Sequence, residues 1–288
     1  MKIKLRDGRE IPTENGQAKA LRFLYGNAFG RFILKMLICR PVSKTVGWFL
    51  CRGVSRVFIK PFIKNNNIDM SEYADEKYKN YNQFFARHIK KDARPVDMDK
   101  SHLISPADSK LSVVSINKDC RLLVKDTPYT VEDILQNESL AKKYEGGYAL
   151  IFRLSVEDYH RYCYAVEGQK TDNTFIKGRL HTVMPIANDH FPIYKQNCRE
   201  YCTISNDIFG DVTVMEVGAL LVGRIVNLHQ SKYVLRGEEK GYFQFGGSTV
   251  VMFIQKNKIK LDDDIVKNNA DGFETVVKFG EKIATALN

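Results

Sequence analysis

The residues best suited to covalent chemistry stand near the C-terminus, in Gly246-Gly247-Ser248-Thr249. Two consecutive glycines admit backbone angles closed to other residues. They also leave the Gly247 carbonyl unshielded by side chains. The Ser248 hydroxyl, one residue on, can attack that carbonyl and move the acyl group from nitrogen to oxygen. β-Elimination of the resulting ester frees the upstream chain and leaves dehydroalanine. Hydrolysis of that unit yields a pyruvoyl group and ammonia. Most Gly-Gly-Ser tripeptides are turns, so this motif needs partners before it means anything.

The partners required are a base and a group to orient it. His160, in Asp158-Tyr159-His160-Arg161, is one candidate base, and His181, in Leu180-His181-Thr182-Val183, is another. Asp108, in Ser105-Pro106-Ala107-Asp108-Ser109, is the candidate acid. Each has a plainer reading. Asp108 after Pro-Ala suits a turn, a single histidine is usually structural, and Asp158 and Arg161 suit a local ion pair. His88, His102, His190 and His229 keep the structural reading. Cys163 stands three residues after His160, so a cysteine nucleophile paired with that histidine is a third option. Nothing else supports a cysteine hydrolase. The six cysteines, at 39, 51, 120, 163, 198 and 202, form no CxxC pair. Cys198 and Cys202 lack the second Cys/His pair of a zinc finger, so all six read as free thiols and no metal is expected.

These residues need a scaffold, and the chain of 288 residues with 44% hydrophobic content can build a sizeable core. The net charge of +10 is concentrated. Gln17 to Lys64 carries ten Lys/Arg and no Asp or Glu, which equals the whole excess. Within it, Gln17–Ile38 has apolar residues at helical spacing. Pro41 breaks the run, and Val42–Phe62 reads as a second helical stretch containing Trp48 and Phe49. Cations punctuate both, so a membrane-spanning helix is disfavoured. A basic helix rich in Phe, Leu and Trp suits a membrane interface. It equally suits a helix packed on the domain with solvated cations. Met1–Pro12 is polar and reads as a loose end or short hairpin, not a signal peptide, which fits a reducing compartment. Tyr73–Arg94 reads as another helix. After residue 100 short apolar runs alternate with turn residues: Leu111–Ile116, Tyr148–Leu154, Tyr162–Val166, Thr174–Ile176, Val212–Val217, Leu220–Asn227 and Thr249–Ile254. Strands at this spacing predict a β-rich domain, a sandwich or partly closed barrel, with a helix over Thr130–Lys143. The fold class expected is therefore α+β.

Four segments, in order, resemble the phosphatidylserine decarboxylase family. They are Tyr81-Asn82-Gln83-Phe84-Phe85-Ala86-Arg87 with Arg94-Pro95; Ser105-Pro106-Ala107-Asp108-Ser109; Phe152-Arg153-Leu154-Ser155 through Asp158-Tyr159-His160-Arg161; and the stretch around Gly246-Gly247-Ser248-Thr249. The resemblance spans about residues 75 to 265. It implies an amphipathic helical membrane-association segment over 1–70 and a catalytic domain over 71–288. It implies self-cleavage between Gly247 and Ser248 into a β chain, 1–247, and an α chain, 248–288, that remain associated. The cofactor would be a covalent pyruvoyl group made from Ser248. It would decarboxylate phosphatidylserine to phosphatidylethanolamine through a Schiff base. Ser248 would be the nucleophile, Asp108 the acid that orients the base, and His160 or His181 the base, because family members often carry a second histidine where this chain has Cys163. The partners implied are phosphatidylserine and an anionic membrane surface, with no nucleic acid and with homo-oligomerisation open. With no export signal in the chain, the place expected is the cytoplasmic side of the cell membrane, peripherally. The alternatives are a pyruvoyl decarboxylase of a soluble amino acid and a catalytically silent membrane-binding relative.

Overall fold

The computed structural model describes residues 2–12, 23–27, 29–30, 33, 40–124, 127–179, 193–218, 224–244 and 248–287. His181, Gly247, most of Gln17–Ile38 and the first part of Leu220–Asn227 lie outside the described residues. In chain order the strands are β1 (Lys2–Lys4), β2 (Glu10–Ile11), β3 (His102–Ile104), β4 (Ser109–Ser115), β5 (Arg121–Val124), β6 (Thr127–Thr130), β7 (Tyr148–Leu154), β8 (Arg161–Cys163), β9 (Gly168–Lys170), β10 (Thr174–Ile176), β11 (Arg199–Asn206), β12 (Gly210–Val217), β13 (Ile225–Asn227), β14 (Lys232–Val234), β15 (Glu239–Phe243), β16 (Ser248–Ile254), β17 (Ile259–Leu261), β18 (Phe273–Val277) and β19 (Lys282–Ala286).

The large sheet runs β14-β9-β11-β12-β16-β7-β4-β18-β1-β2, with β10 paired to β11. It is an open path among the described residues, a β-rich mixed arrangement with no closed barrel. Its middle is the most apolar part of the chain. Every residue of β16, Ser-Thr-Val-Val-Met-Phe-Ile, is buried, and six of seven in β7 are. A run buried on both faces reads as a continuous apolar stretch rather than an alternating one, and that is how these strands are written. β16 is hydrogen-bonded along its length to β7 on one side and β12 on the other.

A small sheet, β13-β15-β8, lies over the face of the large sheet that carries Glu216. Gly241 makes that layer fit: a Cβ there would collide with the Val226 carbonyl and the Tyr162 ring. Between the layers sits a buried ion pair. Lys240 Nζ donates to Glu216 Oε2 at 2.8 Å and to Asn227 Oδ1 at 2.7 Å, and both charged side chains have 0% exposure. A third sheet, β17-β19-β3, and the β5-β6 hairpin complete the strands.

Three helical expectations come out shorter. The stretch Val42–Phe62 is two α-helices, α1 (Arg40–Leu50) and α2 (Ile59–Asn65), joined by a 3-10 turn, Gly53–Phe58. The fully buried Ser55 hydroxyl in that turn donates to the Leu50 and Arg52 carbonyls and accepts from the Tyr81 N–H. Tyr73–Arg94 is helical only over α3 (Tyr81–Phe85). Asn80 caps its start, accepting from Gln83 N–H, while the Gln83 side chain accepts from Lys79 N–H. This reciprocal pair fixes the first turn there. On either side, Tyr73 and Ile89 meet in a β-bridge, which holds the flanks extended. Thr130–Lys143 splits into α4 (Val131–Leu135) and α5 (Glu138–Lys142), each with its own side-chain cap, from Thr130 and Asn137. The helical layer has a small core of Leu50, Tyr81, Phe84 and Phe85, backed by Phe62 and Ile63.

Removing one partner of a buried ion pair strands the other charge, at about 3–5 kcal/mol, whereas replacing both is far milder. We therefore expect Lys240→Met to lower the urea-unfolding stability of an uncut Ser248→Ala chain by that amount. Adding Glu216→Leu should recover most of the loss. An unchanged midpoint in Lys240→Met would contradict the pair's role.

Candidate active site

Ser248 opens β16, and its neighbours across the sheet locate everything else. Thr249 pairs with Arg153 of β7, Arg153 with Lys110 of β4, and Lys110 with Val276 of β18. One step further along all four strands lies the end of the sheet at which Ser248, Leu154, Ser109 and Val277 sit. Ser155, Asp108 and Lys278 follow just beyond. The four ordered motifs thus gather at one sheet end because three are written onto adjacent strands.

Ser248 Oγ lies 3.3 Å from His160 Nδ1, and both residues have 0% exposure. His160 Nε2 lies 3.0 Å from the Ser155 carbonyl oxygen. A carbonyl only accepts, so in the neutral ring Nε2 carries the hydrogen and Nδ1 presents its lone pair to Ser248. The Phe85 ring stacks on the imidazole, centroids 4.0 Å apart and planes 27° apart. Burial first, then the Arg87 and Lys110 cations, push the His160 pKa down to about 3, with the Ser155 carbonyl opposing. The ring is therefore a neutral proton acceptor, aimed at the one hydroxyl that precedes the buried strand.

The turn supplying that carbonyl is braced. Asp158 Oδ2 accepts the Ser155 N–H at 2.6 Å, and Lys110 Nζ donates to both Asp158 carboxylate oxygens, at 2.6 and 2.8 Å. Arg87 Nη2 donates to the Glu157 and Asp158 carbonyls. Arg153 bonds the Ser155 hydroxyl and pairs with the buried Glu274. Asp158 thus pairs with Lys110, while Arg161 pairs with Glu239, so the two do not form the local pair their spacing suggests.

Asp108 is placed differently from Ser248 and His160. It lies on β4's approach, two strands from β16, about 10 Å at the usual strand spacing. Arg94 grips it through Nε and Nη2, at 2.9 and 2.7 Å, and Phe279 N–H donates to it at 2.8 Å. Burial pushes its carboxyl up, but Arg94, Lys278 and the Phe279 N–H outweigh this and hold it below the usual range. Both ring nitrogens of His160 are occupied by other groups. The structure therefore brings Ser248 and His160 together and does not bring Asp108 into contact with them. Beside Asp108 opens a cleft of about 580 Å³, lined by Glu72, Arg94, Pro95, Lys278 and Phe279 among others.

Cys163 is buried, its Sγ pointing at the Ser105 carbonyl 4.0 Å away. Burial pushes its thiol far up, so it is no thiolate. The pairing of Cys163 with His160 is not seen. His88 pairs with Glu76, His102 with Asp97, and His229 with Tyr164 and Glu238, as structural histidines do.

A sequence profile described as phosphatidylserine decarboxylase matches residues 81–285. A protein of Clostridium acetobutylicum named phosphatidylserine decarboxylase proenzyme 2 is 46% identical over 283 residues, covering 96% of each chain. This chain belongs to the phosphatidylserine decarboxylase family. A phosphatidylserine decarboxylase proenzyme of Clostridium botulinum is 40% identical, covering 93% of this chain and 92% of its own. One of Fusobacterium nucleatum is 38% identical, covering 97% and 95%.

Sequence reasoning did not single out two groups that surround the His160–Ser248 contact. The Ser155 carbonyl, which sets the tautomer, is a backbone group and leaves no mark in the sequence. Arg87 stood inside a quoted motif, and a cation directly after Phe-Phe-Ala was the available signal.

Because the His160 pKa is depressed, the neutral base is present at every pH above about 3. Self-cleavage followed after cell-free synthesis should therefore show no His160 titration between about pH 5 and about pH 8. His160→Gln should slow it by at least about 100-fold. A rate that falls with a midpoint near the ordinary histidine value would contradict the buried neutral base.

Proposed function

We propose that the chain is a zymogen which cuts itself before Ser248 and then decarboxylates phosphatidylserine to phosphatidylethanolamine, with His160 as the base. The observation that carries this reading is the contact of a neutral His160 Nδ1 with Ser248 Oγ in a sealed site. His160 takes the Ser248 hydroxyl proton while Oγ bonds to the preceding carbonyl carbon. The same proton returns to the Ser248 nitrogen as the C–N bond breaks, leaving an ester. Loss of the Ser248 Cα proton and of the upstream carboxylate from Cβ gives dehydroalanine, and water converts it to the ketone with release of ammonia. Asp108 serves from a distance, by holding Arg94 and the Phe279 backbone at the edge of the site, and His181 remains a second candidate base.

The residues present fit a pyruvoyl group made in place. Ser248 is the first residue of a strand anchored on both sides, so the new end would stay at His160 after the cut. A pyruvoyl group supplies an electron sink for the departing carboxylate's electrons. His160 would then hold the proton that replaces carbon dioxide. The α chain, 248–288, contributes β16, β18 and β19 to sheets shared with the β chain, which keeps the two pieces together.

The substrate is a lipid, and the helical segment offers a surface for it. Trp48, Phe49, Val54, Val57 and Phe58 are exposed, the last three at 63%, 70% and 47%. Arg52, Arg56, Lys60 and Lys64 are exposed beside them. Arg52 lies 4.4 Å over the Trp48 ring. Aromatic side chains with interleaved cations suit the boundary of an anionic bilayer. No helix of the described residues is long and apolar enough to cross a membrane. The reading is of peripheral attachment, on the cytoplasmic side, through the segment up to residue 70, with 71–288 as the catalytic domain.

The cut enzyme should release carbon dioxide from phosphatidylserine vesicles and leave phosphatidylethanolamine, and should not decarboxylate free serine. Arg52→Gln with Arg56→Gln should weaken sedimentation with those vesicles by roughly tenfold at low salt. Activity on serine alone, or equal binding to neutral phosphatidylcholine vesicles, would refute the lipid reading.

A further inference from the structure

Arg87 is a buried cation with most of its bonding capacity unused. It has 0% exposure. Its Nη2 donates to Tyr73 Oη at 3.0 Å and to the Glu157 and Asp158 carbonyls at 3.0 and 3.3 Å. Its guanidinium lies 4.1 Å over the Tyr73 ring and 5.0 Å over Phe84. Nε and Nη1, both buried, have no hydrogen-bond partner, and no ion pair to a carboxylate is found among the described residues. Other buried cations nearby are matched: Lys110 by Asp158 and Glu157, Arg153 by Glu274. An unpaired buried charge is costly, and the free N–H groups on Nε and Nη1 point apart, so either could donate a charged hydrogen bond to one oxygen of an anion.

Its position says which anion. Arg87 follows α3 by two residues, and Phe85 of that helix stacks on His160. On the other side, Phe84 belongs to the helical core with Leu50 and Phe62, beneath the exposed Trp48 and Phe58 surface. From that surface to Ser248 the order is apolar helices, then Arg87, then His160 and Ser248. A phospholipid has the same order: acyl chains, phosphodiester, then the seryl amine and carboxylate. The carboxylate is a poor match for Arg87, because it gives up its charge as carbon dioxide leaves. A fixed cation on it would favour the ground state over the transition state. The phosphodiester keeps its charge throughout.

We propose that Arg87 is the residue that binds the phosphodiester of the lipid substrate, through one of its unpartnered N–H groups. This rests on the lipid decarboxylase reading above. In the intact chain Arg87, His160 and Ser248 are all sealed, so the lipid reaches any of them only after the chain is cut.

The test uses self-cleaved enzyme and two substrates in neutral detergent micelles: phosphatidylserine, and a long-chain alkyl ester of serine, which has the amine and carboxylate but no phosphate. Loss of a charged hydrogen bond to the phosphodiester raises KM by roughly 10- to 100-fold. Arg87→Gln should raise KM for phosphatidylserine by that factor over and above any change it causes in the kinetics with the serine ester, since the loss of its bonds to residues 157 and 158 falls on both substrates alike. Arg87→Lys should fall between it and the wild type. An unchanged KM, or an equal loss on both substrates, overturns the proposal while leaving the decarboxylase reading intact. Failure of both variants to cut also overturns it, and would put Arg87 in self-cleavage instead. A wild type that decarboxylates neither substrate would sink the reading on which the proposal rests.

Discussion

One backbone hydrogen bond governs the site: His160 Nε2–H to the Ser155 carbonyl. Without it the imidazole could present either nitrogen to Ser248, and only one tautomer accepts the hydroxyl proton. In many hydrolytic triads a carboxylate fixes the tautomer and also stabilises the charged ring. A carbonyl fixes the tautomer with less charge stabilisation. With Arg87 and Lys110 close by, the balance favours a neutral ring. Such a site suits a slow, single-turnover cut, in which orientation matters more than repeated cycling. It also explains the bracing of residues 155–158 by Lys110, Arg87 and Arg153, three cations spent on one turn.

The second constraint is the burial of β16. A strand closed on both faces and both edges cannot be rearranged cheaply, so Ser248 is held in place before and after the cut. The helical layer is tied into the same arrangement. The Ser55 hydroxyl joins the 3-10 turn to the start of α3, and Phe85 at the end of α3 packs on His160. One hydrogen bond and one ring stack therefore connect the helical layer to His160. One short helix thus brings the exposed aromatic surface close to the contact of His160 with Ser248.

The sequence was informative where chemistry and burial leave local marks. β7 spans the predicted Tyr148–Leu154, and β16 begins one residue before the predicted Thr249 because an apolar run bounded by turn residues is a strand signal. Ser248 and His160 stood out by residue type and context. What stayed hidden was non-local. The length of α3 depended on the Asn80 cap and the Tyr73 bridge to Ile89, which override a helical composition. The pairing of Lys240 with Glu216 joins residues far apart in the chain, and only a charge inside each apolar strand hinted at it. Asp108 stood out in the sequence as a candidate acid, but its pairing with Arg94 joins two segments across the fold and left no local mark.

The most direct test of this account is the intact mass of the purified wild-type protein under denaturing conditions. The account predicts two species, residues 1–247 and a short chain of residues 248–288 whose first residue is a pyruvoyl group without an amine. A single chain bearing an unmodified Ser248, persisting after incubation with phosphatidylserine vesicles, would contradict it. The contact between His160 and Ser248 would then be structural and the chain a silent relative.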